Sequence, residues 1–133
     1  MKFQWVQPPG VGVAGPWFRC AIRRDTKALP NDIFALLDTG ADVTTFPTDF
    51  AKMLNFSESD PAPCMTNGVG GQTQILRAKI APSGVGIQIG GNWYSVPALH
   101  FAKNVPPLLG RDFLFSHFKI RMEHGETDLR SIA

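Results

Sequence analysis

The chain has 133 residues, 44% of them apolar and 18% charged, which is enough apolar sequence to bury a core and argues against a disordered chain. Its formal net charge of +2, with no extended basic patch, argues against a nucleic-acid partner. No apolar run approaches membrane-spanning length, and the N-terminus has no signal-peptide core. We therefore expect a single soluble domain over residues 1–133, intracellular rather than secreted, although the sequence assigns no compartment.

Short strands separated by turns are predicted along most of the chain. In order, strands are predicted over residues 2–6, 17–23, 33–37, a glycine-tipped hairpin over 64–80, then 85–89, 93–101, 108–110 and 119–123. Short helices are predicted over residues 48–54, with Thr48 as N-cap, and 111–118, and residues 125–128 are predicted as a turn before a polar tail. Many short strands with little helix favour an all-β protein with a closed or orthogonally packed sheet.

The most informative stretch is an acid that directly follows a buried strand. The predicted strand 33–37 ends at Asp38, and Thr39 and Gly40 come next. A carboxylate at the edge of a core is costly unless it is hydrogen-bonded or shares a proton, and a strand end is a rigid mount for a reactive group. Asp, Thr and Gly are also common turn residues, so the triplet alone fits a simple turn equally well.

Two further motifs lie downstream of this acid. Residues 65–71 read Met-Thr-Asn-Gly-Val-Gly-Gly and form the tip of the predicted hairpin. Residues 108–114 read Leu-Leu-Gly-Arg-Asp-Phe-Leu and open the second predicted helix. Taken alone, the first motif fits a flexible hairpin, and the arginine of the second fits a surface position on a helix.

Together the three motifs resemble those of the retropepsins, the retroviral-type aspartic proteases. Residues 35–42, Ala-Leu-Leu-Asp-Thr-Gly-Ala-Asp, are similar to the catalytic signature of that family, and residues 65–71 are similar to its flap. Residues 108–114 resemble the segment that opens its short helix, and the likeness runs from about residue 17 to 120. It implies an all-β fold of the closed-barrel acid-protease type with one short C-terminal helix.

The resemblance implies an aspartic endopeptidase with Asp38, Thr39 and Gly40 in the catalytic motif. Because the sequence holds one Asp-Thr-Gly and this chemistry uses two carboxyls, we expect a homodimer in which two copies of Asp38 meet. The family also pairs the second acid of the motif with the downstream arginine, so we expect an ion pair between Asp42 and Arg111. No cofactor or metal is implied. The terminal segments depart from the family, and residues 118–124 fit either a separate hairpin or strands of the dimer.

The resemblance also marks positions that bind substrate. These are Leu36, Ala41, Asp42, Gly68, Val69, Gly70, Pro106 and Leu108. Their mostly small or aliphatic side chains imply an extended peptide or protein substrate with apolar side chains on both sides of the cleaved bond. The flap tip is expected to close over this substrate.

Two other classes of function compete with a protease. One is a retropepsin-fold domain that dimerises or binds peptides without cleaving them. The other is an interaction domain anchored by Trp5, Trp17 and Trp93, although packing on a strand face is the commoner role for such residues.

Other catalytic or metal chemistry finds little support in the sequence. The three histidines, His100, His117 and His124, lack metal-ligand spacing. Cys20 and Cys64 show neither metal spacing nor the local signature of a cysteine protease. Two buried thiols are the simplest interpretation of the cysteines, and a disulfide between them stays open.

Overall fold

The structure is a computed structural model that describes residues 1–57, 61–68, 71–78 and 84–132. The strands that it describes are β1 (Lys2–Gln4), β2 (Trp17–Arg24), β3 (Lys27–Ala28), β4 (Ile33–Leu37), β5 (Thr45–Pro47), β6 (Pro61–Gly68), β7 (Gly71–Ala78), β8 (Val85–Ile89), β9 (Asn92–Ser95), β10 (His100–Ala102), β11 (Leu108–Leu109), β12 (Phe118–Glu123) and β13 (Glu126–Ser131). The helices are α1 (Asp49–Met53) and α2 (Arg111–His117). The all-β prediction is confirmed.

Ten of the strands form one large sheet that curls into a half-barrel. Its order is β6-β7-β10-β5-β11-β4-β2-β8-β9, and β3 pairs with β2 beside this path. In the centre, β11 runs parallel to β4 and antiparallel to β5, while β10 runs parallel to β5. The short strand β11 is therefore inserted between two strands that lie close together in sequence, which brings two distant loops to one place.

A second sheet of three strands joins the two ends of the chain. Its order is β1-β13-β12, with both pairings antiparallel. The N-terminal ammonium group also donates a hydrogen bond of 2.7 Å to the carbonyl of Leu129. The C-terminal segment therefore forms its own hairpin, one of the two arrangements that its sequence allowed.

The core follows from strand periodicity. In β2, Phe18, Cys20 and Ile22 are buried while Arg19 between them is exposed, as the alternation predicts. Strand β4 buries Ala35 and Leu37 on the same side of the large sheet. The buried apolar residues form one cluster, and α2 contributes its two buried side chains to it: Phe113 and Leu114.

Three local predictions were wrong or incomplete. The predicted strand 93–101 is broken, because β9 ends at Ser95 and Pro97 has no backbone N–H for a ladder. The predicted turn at 125–128 is largely strand β13, and the turn lies at His124 and Gly125, which both have positive φ. Helix α1 begins after Thr48 as predicted, but the Thr48 side chain makes no capping hydrogen bond.

Within the residues that the structure describes, neither helix is long and apolar enough to cross a membrane.

Candidate active site

Asp38 stands at the end of β4, in the middle of the large sheet. Leu36 and Leu37 pair with Leu108 and Leu109 of β11 in parallel register. The backbone N–H of Asp38 then donates a hydrogen bond of 3.0 Å to the carbonyl of Leu109. The backbone that carries this carboxyl is therefore fixed by strands on both sides, β2 and β11, rather than by the loop alone.

The turn after Asp38 holds one of its carboxylate oxygens. The N–H of Gly40 donates a hydrogen bond of 3.0 Å to Asp38 Oδ1, and the N–H of Ala41 donates one of 3.2 Å to the Asp38 carbonyl. A Cβ at Gly40 would lie 3.2 Å from the same Oδ1, which is tight for a side chain. Asp38 is half-buried, and Thr39 and Gly40 are exposed. The carboxyl is thus oriented by backbone while still open to a ligand.

The segment before α2 is bound to this turn through the backbone. The N–H of Arg111 donates a hydrogen bond of 2.9 Å to the Ala41 carbonyl, and the N–H of Asp112 donates one of 3.2 Å to the Asp42 carbonyl. Arg111 Nη2 also forms an ion pair with Asp42 Oδ1. Because the Arg111 and Asp42 side chains are 44% and 40% exposed, solvent screens the pair, and its net contribution is about 1 kcal/mol or less.

A buried network that the sequence did not single out fastens the same two segments. Asp112 Oδ1 accepts hydrogen bonds from Thr44 N at 2.9 Å, Thr44 Oγ1 at 2.8 Å and Phe113 N at 2.7 Å. Thr44 Oγ1 in turn accepts a bond of 3.1 Å from Gly110 N, and Thr44 is fully buried. The available signal was weak: Thr44 lies between apolar Val43 and a second threonine, and Asp112 lies between Arg111 and apolar Phe113.

Gly110 allows this close approach. A Cβ at this residue would overlap the backbone carbonyl group of Val43 and lie 2.9 Å from Thr44 N. Since both obstacles are main chain, no side-chain rotation can make room. The glycine of the downstream motif is therefore required by the contact between the two loops.

Removal of the Asp112 carboxylate should loosen the site. In Asp112→Ala, the Thr44 N–H and hydroxyl lose a charged acceptor in a buried position, so we expect the free energy of unfolding to fall by about 2–3 kcal/mol. Chemical denaturation measures this change. Asp49→Ala, at an exposed acid in the first turn of α1, is the matched control and should change stability little. Equal losses in the two variants would contradict the role of the network.

The predicted substrate-binding residues fall in different parts of the structure. Leu36 and Leu108 are neighbours in the sheet and half-buried, and Ala41 is half-buried in the turn. Pro106 is exposed, and Gly68 ends β6, where it pairs with Gly71 at the tip of the hairpin. Val69 and Gly70 lie outside the described residues. The structure therefore brings Leu36, Leu108 and Ala41 close to Asp38.

The structure also describes the surroundings of the Cys20 thiol and of the potential metal ligands. Burial, with a smaller contribution from the charge of Asp32, raises the pKa of the Cys20 thiol to about 12, so it is protonated and a poor nucleophile at neutral pH. Cys64 lies in β6, and its side chain is outside what the structure describes. Among the described residues, no three His, Cys, Asp or Glu side chains form a group that could hold a metal ion.

The three tryptophans are half-buried on strand faces or beside them. Trp5 Nε1 donates a hydrogen bond of 3.0 Å to Thr127 Oγ1, and the Arg23 guanidinium lies 4.2 Å from the centre of the Trp93 ring. Trp17 opposes Leu36 in the β2–β4 pairing. These positions fit packing on strand faces better than three exposed anchors for a partner.

Comparison with protein families places the chain beside known sequences. The sequence model of a family described as aspartyl protease matches residues 31–113. This range includes β4, the Asp38 turn, β11 and the start of α2, which are the parts that form the loop contact described above. No curated protein sequence matches the chain.

Proposed function

Because the chain belongs to the aspartyl protease family, we propose that it is a retropepsin-like aspartic endopeptidase that acts as a homodimer. The observation that carries this proposal is the mounting of Asp38. Its backbone is bonded to β11, and its Oδ1 accepts the Gly40 N–H, so a carboxyl open to a ligand is fixed at the centre of the sheet. This is the rigid, polar position that acid–base hydrolysis requires.

The chemistry needs a second carboxyl. Two carboxyls that share one proton can act together, because one activates a water molecule while the other donates a hydrogen bond to the carbonyl oxygen of the peptide bond. The sequence holds a single Asp-Thr-Gly, at residues 38–40. We propose that Asp38 of a second copy supplies the other carboxyl across a two-fold axis, with Thr39 of each copy bracing the opposite turn.

The outer edge of β12 supports dimerisation through the terminal sheet. Leu129 N donates to the Met1 carbonyl, so the alternation of an antiparallel ladder turns the backbone groups of Asp128 and Arg130 toward β12. Given the pairing of β12 with β13, the backbone N–H and C=O groups of Ile120 and Met122 then point away from β13, toward the open edge. Among the described strands, none pairs with this side of β12. An unpaired edge of this kind is a template for a strand from another chain.

Met122→Pro tests this surface. Proline removes an N–H that faces the open edge and leaves the ladder with β13 intact, so we expect weaker dimerisation with little loss of monomer stability. Sedimentation velocity measures the dimer dissociation constant, and we expect it to rise about tenfold or more, since interface hydrogen bonds and fit are lost together. Met122→Ala keeps the N–H and is the matched control. An unchanged dissociation constant in the proline variant would exclude this edge as the interface.

The neighbourhood of Asp38 supports apolar substrates. Leu36 and Leu108 lie side by side, partly exposed, and Ala41 adds a small side chain in the turn. We propose that the substrate is an extended peptide that places apolar side chains against these residues and bonds with neighbouring backbone at Gly40 and Asp42. The residues Gly68, Val69, Gly70 and Pro106 complete the proposed binding site.

Incubation of the purified chain with a peptide library, read by mass spectrometry, tests the activity. We expect cleavage between apolar residues at acidic to near-neutral pH, inhibition by a pepstatin-type compound and no effect of a metal chelator. A dimeric preparation that cleaves nothing would contradict the protease assignment and favour a non-catalytic peptide-binding or dimerisation domain.

A further inference from the structure

A cavity lies away from the Asp38 turn. It has a volume of about 550 Å³ and sits between the β8–β9 hairpin and the C-terminal end of α2. The residues on its wall that matter below are Arg23, Gly86, Trp93, Tyr94, Ser95 and His117. Among the proposed catalytic and substrate-binding residues that the structure describes, none lines it. Its volume falls in the range of about 300–1,000 Å³ that is typical of small-molecule sites.

A glycine forms the floor of this cavity. In the sheet, Arg23 pairs with Gly86, and Gly86 pairs with Ser95, so the three residues form one row across β2, β8 and β9. A Cβ at Gly86 would lie 3.4 Å from Arg23 Nε and 3.5 Å from the Trp93 ring. The missing side chain therefore leaves the space in which the arginine reaches across to the tryptophan.

The guanidinium of Arg23 is positioned but not neutralised. Its central carbon lies 4.2 Å from the centre of the Trp93 ring, so a cation–π contact holds the group against the indole. Within the described part of the chain, no hydrogen bond or ion pair involves its nitrogens, whereas Arg24 donates to two carbonyls and Arg19 pairs with Asp32. Arg23 is half-buried and lines the cavity. Its N–H groups, which have no partner among the described residues, are therefore available to a ligand in the cavity.

The remaining wall is mixed in character. His117 Nε2 lies 2.6 Å from the carbonyl oxygen of Ser95, the last residue of β9. The rings of His117 and Tyr94 lie 5.4 Å apart. Tyr94 pairs with Ile87 on the core side of β9, so the apolar surface beside the arginine comes from the Trp93 ring. Asp25 also lines the cavity, and its carboxyl opposes anions increasingly with their charge, so a singly charged ligand suits the site better than a multiply charged one.

We propose that this cavity binds a ligand with a single carboxylate, which the Arg23 guanidinium holds while Trp93 contacts its apolar portion. The planar fork of an arginine matches the two oxygens of a carboxylate. Both a free apolar carboxylic acid and the C-terminal carboxylate of a peptide carry this chemistry. The proposal does not rest on the protease activity, since Asp38 and its turn contribute no residue to this cavity.

Calorimetric titration of the full chain tests the proposal with three probes. These are phenylacetate, an N-acetylated peptide ending in Phe with a free C-terminus, and the same peptide as its C-terminal amide, all added to Asp38→Asn so that no peptide is cleaved. We expect millimolar or tighter binding of at least one carboxylate probe and none of the amide. The probe that binds more tightly identifies the source. Equal binding of peptide acid and amide, or no binding by either carboxylate, would overturn the proposal.

Two variants locate the binding. Arg23→Gln removes the charge and should weaken carboxylate binding about tenfold or more. Gly86→Ala fills the floor at ordinary contact distance and should weaken binding without changing the charge. Arg19→Gln, on the exposed face of the same strand, is the matched control and should bind as the native chain does. Thermal unfolding of each variant reports whether it is folded. Unchanged binding in folded Arg23→Gln or Gly86→Ala would contradict the assignment.

Discussion

The Asp38→Asn variant should fold and dimerise as the native chain does and lose peptidase activity by about 10²- to 10⁴-fold or more. The amide oxygen of an asparagine can still accept the Gly40 N–H, so the turn keeps its hydrogen bond of 3.0 Å. The amide cannot take up the proton that the two carboxyls share, and water activation is lost with it.

Initial rates on a cleaved peptide measure this loss, and sedimentation velocity with thermal unfolding checks that the variant is a folded dimer. Asp49→Asn is the matched control, because it removes a carboxylate from an exposed position in α1. We expect it to retain full activity. An Asp38→Asn variant that cleaves at the native rate would show that Asp38 is not the catalytic acid.

Gly110→Ala should cause the largest loss of stability among the changes considered. The added methyl group would overlap the carbonyl group of Val43, and relief requires that the β11–α2 segment move away from the Asp38 turn. That movement also breaks the bond of 3.1 Å from Gly110 N to Thr44 Oγ1. We expect the free energy of unfolding to fall by about 3 kcal/mol or more. Peptidase activity should fall by more than the loss of folded protein accounts for, because the displaced segment no longer supports the Asp38 turn.

Gly12→Ala provides the control for this prediction. Gly12 has no neighbouring atom within 4 Å of an added Cβ, so the same change there should be close to neutral. Urea denaturation of both variants gives the comparison. If Gly110→Ala were as stable as Gly12→Ala, the close approach of the two loops would not constrain the fold.

The sequence predicted those parts of the fold in which a local pattern and a tertiary role agree. Strand β2 alternates because one face packs on the core, and strand β4 is a short apolar run with bounds that the structure reproduces at Ile33–Leu37. Helix α2 was predicted from its start at Arg111, where Gly110 precedes it. In β2 the alternating residues are the buried ones, whereas the apolar run of β4 buries Ala35 and Leu37 but leaves Phe34 exposed, so the expectation of a fully buried strand was wrong.

The sequence did not predict features that depend on distant partners. Strand β13 carries Thr127 and Asp128 in buried positions. Their polarity is typical of a turn, and the segment is a strand because it pairs with both β1 and β12. The hydrogen bonds of Thr44 to Asp112 join residues 68 apart in sequence. No local pattern encodes such a contact, since each residue alone is common in loops.

Local sequence patterns also do not predict the order of strands in the large sheet. Strand β11 has two residues and would not be stable alone, but it is held between β4 and β5 and delivers α2 to the Asp38 turn. The resemblance of three motifs indicated that these loops would meet. The backbone bonds from Arg111 and Asp112 to the turn supply the physical connection.

If one chain holds half of the catalytic centre, peptidase activity must depend on protein concentration. Peptidase rates per subunit should be measured over a dilution series and compared with the dimer fraction from sedimentation at the same concentrations. We expect the rate per subunit to fall in proportion to the dimer fraction. A rate per subunit that stays constant in fully monomeric samples would contradict it.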